Sequence, residues 1–299
     1  MSHRPETTGT AKRHYRSVWI SDVHLCTRDS RADMLNEFLD FFTCDNLYLV
    51  GDIVDVWALK KRWYWTDLYN EVLHKLLKRS RRGARVVYIP GNHDEFLREF
   101  VGYGLGNVRI MMDALHETAD GRRFLVIHGD EFDTVVQYHK WLSKLGGWAY
   151  NYLILLNRMV NAVRRFFGRP YWSFSGVIKR KLKQAVKFLT RFEELLVKEA
   201  KRRNVDGVIC GHVHQPTLRE LEGVLYCNTG DWVENCTALV ESESGELTLL
   251  WWFKQRAAFL NLEGGLSPNH SADAGNARSI MPSSVESSAH IADADAVVR

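Results

Sequence analysis

At 299 residues, with 45% hydrophobic and 25% charged residues, the chain has an ordinary globular composition and room for one large domain or two small ones. Its net charge of +4 is too mild to argue by itself for a nucleic-acid partner. The five cysteines (Cys26, Cys44, Cys210, Cys227, Cys236) are scattered and form no C-x-x-C pair, which excludes a disulfide framework and predicts reduced, mostly buried thiols.

The N-terminus has no apolar core of signal-peptide length, and no run approaches the roughly 18 apolar residues that span a bilayer. A cytoplasmic protein is expected, with room for contact to a membrane surface. Residues 1–14 are polar and expected to be loose. "YRSVWISDVHL" reads as a buried strand running into a loop. "SRADMLNEFLDFF" has helical spacing at Met34, Leu35, Phe38, Leu39 and Phe42, with Ser30 as its N-cap. "NLYLVGDIVDVW" is a second strand with acids at its end. "TDLYNEVLHKLLKRSRRG" is a helix capped by Thr66 and stopped by Gly83. "ARVVYIPGNHDE" is a third strand with a polar end. "RRFLVIHGDEFD" and "DGVICGHVHQP" repeat the theme.

Residues 134–204 break this pattern. They are helical, aromatic and basic, with sixteen Lys and Arg against three acids, and read as a helical insertion between two core strands. "LRELEGVLYCNTGDWV" and "CTALVESESGELTLLWWF" look like strands and a hairpin, suggesting a second sheet packed on the first. The ordered domain is expected over 15–263. From 264 to 299 the chain is rich in Ser, Ala, Asn and Asp and reads as a disordered tail.

Five strands therefore end in loops loaded with Asp, His or Asn. The early strand–helix alternation argues for an α/β fold, and in open α/β sheets sites collect beyond the carboxyl ends of the strands. In "GHVH", His212 and His214 lie two apart; in an extended segment they would share a side. The strand-end groups are Asp22 and His24 ("SDVHL"), Asp52 and Asp55 ("GDIVD"), Asn92, His93 and Asp94 ("GNHDE"), His128 ("IHGD"), then His212 and His214. Carboxylates, imidazoles and an amide oxygen suit Mn²⁺, Fe or Zn²⁺. A pair of such ions can activate water and neutralise a phosphoryl group.

This set resembles the calcineurin-like metallophosphoesterase superfamily, whose motifs run D-x-H, G-D-x-x-D, G-N-H-[DE], H and G-H-x-H. All are present in order from Asp22 to His214. The resemblance implies a four-layer αββα sandwich with the helical insertion as a lid between the fourth and fifth motifs. It implies two divalent ions, Mn²⁺ above all. Asp22, His24 and His214 would bind one, Asn92, His128 and His212 the other, and Asp52 would bridge them. His93 resembles the family histidine that contacts phosphate and protonates the leaving oxygen. Asp55 and Asp94 resemble residues that orient His93 or a ligand. On the residues alone, Asp94 could equally be a helix N-cap and Asp55 a loop residue satisfying backbone donors. His116 and His139 read as ordinary surface or packing histidines. Asp130 and Asp133 could order their loop or face substrate. Trp57, Trp63 and Trp65 could pack under the lid or line the site.

Protein phosphatases of this superfamily continue the second motif as G-D-x-V-D-R-G; "GDIVDVW" lacks that Arg-Gly. "SDVHLCTR", "GDIVDVW", "HGDEFD" and the basic insertion are most similar to the UDP-2,3-diacylglucosamine hydrolase group of lipid A biosynthesis. That resemblance implies hydrolysis of a lipid-linked nucleotide sugar to UMP and a lipid monophosphate. Lys179, Lys183 and Lys187, one stripe of a helix, would meet its anionic groups, with contact to the inner face of the cell membrane through the insertion. No protein partner is implied. The third motif departs from that group: its best-known members carry Arg where this chain has His93. The rival readings are a related enzyme acting on another phosphodiester, nucleotide or nucleic acid, a non-catalytic scaffold, and a membrane-binding module. Scaffolds on this fold typically lose metal ligands, and nucleic-acid affinity would fall steeply with salt.

Overall fold

The structure, a computed structural model, describes residues 12–135 and 175–261, with only the backbone of 105, 133–135, 175–187 and 258–261. Residues 136–174, which include His139 and most of the expected lid, lie outside the described residues, as does the expected tail.

β1 (Arg13–Ile20) leads to α1 (Ala32–Phe41), which runs straight into β2 (Phe42–Val50). β1 begins inside the stretch expected to be loose, because Arg13 and His14 pair with Phe42 and Thr43. Met34, Leu35, Phe38 and Leu39 are buried, as the helical spacing requires. Ser30 is not the cap of α1: Arg31 holds that position, and the Ser30 hydroxyl donates to the Val23 carbonyl at 2.7 Å. A short α2 (Val56–Lys61) precedes α3 (Asp67–Arg81). Thr66 takes the extended cap conformation of α3 but makes no side-chain cap bond. Gly83, with φ 103°, ends the helix in a backbone region that favours glycine.

β3 (Arg85–Ile89) is followed by a 3-10 turn (Glu95–Phe100), β4 (Gly104–Leu105), β5 (Val108–Ile110), β6 (Asp113–Glu117) and β7 (Arg123–Ile127). After a second 3-10 turn (Asp130–Val135) come α4 (Ser175–Arg202), β8 (Gly207–Cys210), β9 (Thr217–Leu221) and β10 (Val224–Asn228). β11 (Thr237–Glu241), β12 (Leu247–Trp251) and α5 (Trp252–Asn261) complete the fold.

Two sheets form, ordered β12-β11-β1-β2-β3-β5-β4 and β6-β7-β8-β10-β9. The later half of the chain does not make a sheet of its own. β9 and β10 extend the second sheet from β8, whereas β11 and β12 return to the first, β11 antiparallel to β1 and β12 antiparallel to β11. Trp19, Tyr48, Val87 and Ile89 from one sheet meet Phe124, Val126 and Ile209 from the other in the central core. Each such buried side chain contributes about 1.5–3 kcal/mol. α1 and α3 cover the outer face of the first sheet. The second half of α4 covers the second, through Phe192, Leu196, Val197 and Ala200. The layers are thus α, β, β, α.

One polar node joins the sheets inside this apolar frame. Glu241, fully buried on β11, accepts from Arg16 at 2.6 Å, from the Ala119 amide at 2.8 Å and lies 2.9 Å from His116 Nε2. His116 also meets the Tyr48 hydroxyl at 3.0 Å and sits edge-on to Trp19. His116 is therefore a packing histidine, buried and bonded on both ring nitrogens.

Candidate metal centre

The parallel strands β1, β2, β3, β7 and β8 all end at one edge, and the loops that follow are tied together by backbone bonds. Asp22 N–H donates to the Gly51 carbonyl at 3.0 Å and His24 N–H to the Asp52 carbonyl at 2.9 Å, and Leu25 bridges Val54. Asp22, His24, Asp52, His212 and His214 all adopt left-handed φ (50°, 49°, 55°, 68° and 55°). Each costs about 1 kcal/mol or more for a side-chain-bearing residue, a strain that concentrates at functional sites. His212 and His214 are therefore not two residues of an extended segment. Their turns send them to different groups.

Asp22, His24 and His214 form one group, and Asp52, His128 and His212 another. In the first, His214 Nε2 lies 3.0 Å from Asp22 Oδ1 and 3.3 Å from His24 Nε2. Between the groups, Asp52 Oδ2 lies 3.6 Å from His128 Nε2 and 3.8 Å from His24 Nε2. A cation bonded to nitrogen at about 2.0–2.1 Å spaces adjacent donors about 3.0–3.4 Å apart, as in the first group. Asn92 Oδ1 and His128 Nε2 are buried without hydrogen-bond partners. A buried orphan acceptor is costly unless a cation meets it. The donor set thus fits two divalent ions sharing Asp52.

The tautomers fit as well. His128 Nδ1–H donates to the Val50 carbonyl at 2.8 Å, which leaves Nε2 as a lone pair for a metal. Gly91 has no Cβ for a spatial reason: one would stand 2.7 Å from His128 Nε2 and against the Asp52 carboxylate. Burial pushes the Asp22 carboxyl up, but the charge of His214 and its bond outweigh this and hold it at about 2. Burial lowers His128, but Asp52, then Asp22 and Asp130, push it up to about 10. Without an ion the site therefore gathers protons where a metal would sit.

His93 stands at the rim. Its Nδ1 lies 2.7 Å from Asp55 Oδ2, and its Nε2 lies 4.0 Å from Asp52 Oδ2. Asp55 Oδ2 also meets His24 Nδ1 at 3.3 Å, while Asp55 Oδ1 caps α2 through the Ala58 amide at 2.7 Å. Asp55 thus meets two imidazoles and a backbone donor. Burial raises its carboxyl, but bonds to His24 and His93 hold it well below the usual range. Asp94 makes no cap bond; it is fully buried, accepting from Gly91 N–H at 2.6 Å, Ile53 N–H at 2.8 Å and the Tyr88 hydroxyl at 2.6 Å. It clamps the second and third motif loops together. The Trp57 ring packs 4.4 Å from the His93 ring, so this tryptophan lines the rim, while Trp63 is exposed and stacks on Trp65. Asp130 orders its loop by pairing with Arg98 at 2.6 Å. The side chains of Asp133, Lys179, Lys183 and Lys187 lie outside the described residues; the three lysines fall on α4 by its backbone.

A sixth strand end, which the sequence shows only as part of its strands and hairpin, supports the centre. After β10, Thr229 meets the Ser21 hydroxyl at 2.6 Å, and Ser21 donates to Asp22 Oδ2 at 2.5 Å. Trp232 N–H donates to the Asp22 carbonyl at 3.0 Å. Asp231 Oδ1 collects the amides of Val233, Glu234 and Asn235, and Asn235 donates to the His214 carbonyl at 3.1 Å. The signal was present: "NTGDW" repeats the strand-then-Gly-Asp pattern of "LVGDI" and "IHGDE". Behind His212 lies Phe192 of α4, rings 6.0 Å apart, so the fourth layer backs a candidate ligand.

Comparison with known proteins agrees with this geometry. Residues 15–216 match the model of the calcineurin-like phosphoesterase family. The UDP-2,3-diacylglucosamine hydrolase of Marinobacter nauticus is 27% identical, over 78% of this chain and 96% of that protein. The protein of the same name from Ectopseudomonas mendocina is 28% identical, over 68% and 83% of the two chains. That from Stenotrophomonas maltophilia is 28% identical, over 75% and 93%. With two ligand groups adjoining through His24 and Asp52 and a family match across all five motifs, the chain belongs to the calcineurin-like phosphoesterases, as a metal-dependent phosphohydrolase.

Proposed function

We propose that the chain hydrolyses the pyrophosphate of UDP-2,3-diacylglucosamine, releasing UMP and a lipid monophosphate. The observation that carries the hydrolytic reading is that Asp52 of one ligand group stands 3.8 Å from His24 of the other, so the two groups adjoin. The names of the similar proteins support the substrate.

In this reading Asp22, His24 and His214 hold one divalent ion, Asn92, His128 and His212 the other, and Asp52 both. The ions, Mn²⁺ in this proposal, supply Lewis acidity and a water nucleophile at neutral pH. The chain supplies the rest. Asp55 accepts the His93 Nδ1 proton and turns Nε2 toward the substrate phosphate. A protonated Nε2 donates to the leaving oxygen, and Trp57 holds the ring from its other side. Lys179, Lys183 and Lys187 lie between one and four turns before Phe192, which packs on His212, and are proposed to meet the pyrophosphate. Two acyl chains on the substrate would set the enzyme at the cytoplasmic surface of the membrane.

Product analysis by mass spectrometry tests this. The Mn²⁺-loaded protein and a chelated control receive UDP-2,3-diacylglucosamine and, separately, a bis-aryl phosphodiester. Metal-dependent appearance of UMP and the lipid monophosphate is expected. Cleavage of the diester alone would leave the hydrolase and remove the lipid substrate.

A further inference from the structure

At the other edge of the first sheet, where β1 and β2 begin and β3 follows its turn, lies a cavity of about 470 Å³. That is the size of a small-ligand pocket. Its wall carries Lys12, Lys75, Lys78, Arg79 and Arg82, against Asp40 and Asp45 as the acids. Lys75 pairs with Asp40 at 2.7 Å. Arg79 is engaged by the carbonyls of Leu39, Phe42 and Lys75 and lies over the Phe42 ring. Lys12, Lys78 and Arg82 make no salt bridge among the described residues. Burial lowers the Lys12 pKa, Asp40 opposes this, and Arg79, Arg82 and Lys78 lower it further, so these cations crowd one another.

Cations at a helix C-terminus complement its dipole, and α3 ends at Arg81. That accounts for Lys78 and Arg82. It does not account for Lys12, which reaches the same cavity from the lead-in to β1. Convergence of cations without salt bridges, from two elements, on one concavity is the arrangement that binds phosphate oxygens. β1 has eight residues, so at about 3.3 Å per residue the cavity lies roughly 25 Å from the metal centre. A membrane held at this edge would lie opposite the edge where the metal loops open.

We propose that this cavity is a second binding site, separate from the metal centre, for the phosphate group of a soluble small molecule. Lys12, Lys78 and Arg82 are its unpaired cations. The proposal does not depend on the substrate assigned above.

The test is an NMR titration of ¹⁵N-labelled protein loaded with zinc, whose filled d shell leaves the spectrum sharp. Inorganic phosphate is the probe. Saturable shifts of the Thr43, Gly83 and Ala84 amides are expected, on a binding curve distinct from that at Gly91. In Lys78→Glu/Arg82→Glu these shifts should need about tenfold more phosphate or more, while hydrolysis of a bis-aryl phosphodiester is unchanged. Lys12→Gln, a milder change, should weaken the same curve. Shifts confined to the metal-centre amides, or unaltered binding at Gly83 in the variants, would overturn the proposal. So would sedimentation with phosphatidylglycerol vesicles that the double variant loses while free phosphate shifts nothing at Gly83, since the ligand would then be a lipid surface.

Discussion

Asp55 holds the Nδ1 edges of His24 and His93 while its other oxygen caps α2. Replacing it should therefore disturb a candidate metal ligand and the proposed proton donor together. His93→Ala should lower kcat by about 10²–10⁴-fold with metal content unchanged. Asp55→Asn should lower it by about 10–100-fold and also weaken metal retention. Steady-state rates with elemental analysis of the same samples separate the two. Much of this centre was legible residue by residue, because motif order puts its donors at strand ends. What was not legible was the local backbone. Left-handed φ at His212 and His214 contradicts their intrinsic preference, and only the completed loop network supports it. Asp231 and Asn235 act on His214 through its carbonyl, a contact no spacing rule reveals.

At the scale of elements, Glu241 decides how β11 and β1 of one sheet meet β6 of the other. Its folded carboxyl is raised by burial but lowered more by His116, Ser17 and the Ala119 amide. A depressed carboxyl contributes stability above its unfolded pKa of 4.5 and loses it as pH falls through the folded value. Glu241→Gln should cost about 2–4 kcal/mol near pH 7, since it leaves half-buried Arg16 and buried His116 uncompensated. It should also flatten the acid limb of a thermal-melt profile. Unchanged melting at pH 7 would show that the node is not stabilising. The elements themselves were readable from periodicity: α1 buries the predicted apolar face. Ser30 failed as its cap because the hydroxyl turned to Val23, seven residues back in the same loop and outside any cap spacing. The return of β11 to β1 was hidden for a similar reason, since strand order is a long-range property.

For the whole molecule, metal and fold are coupled. The raised His128 pKa stabilises the ion-free protein fully below 6.5 and loses that contribution as pH rises toward about 10. A bound ion needs the same imidazole neutral, so its affinity grows with pH. The melting-temperature gain on adding Mn²⁺ to chelated protein should therefore increase between pH 6.5 and pH 9. A gain that shrinks over this range would contradict the ligand role of His128. The family resemblance implies the sandwich but not the role of α4: its basic stretch reads as part of a lid, yet Phe192, Leu196 and Ala200 make it the outer layer of the second sheet. Its apolar face and its charge were both visible in the sequence; which of them would meet the sheet depends on the packing of β7, β8 and β10.

Metal stoichiometry with turnover, measured together on wild-type protein and Asp52→Ala, tests the central claim most directly. Two divalent ions per chain and metal-dependent phosphodiester hydrolysis are expected for the wild type. Asp52→Ala should retain fewer ions and lose about 10³-fold or more in rate. Full metal content and full activity in Asp52→Ala would contradict a centre built around that carboxylate.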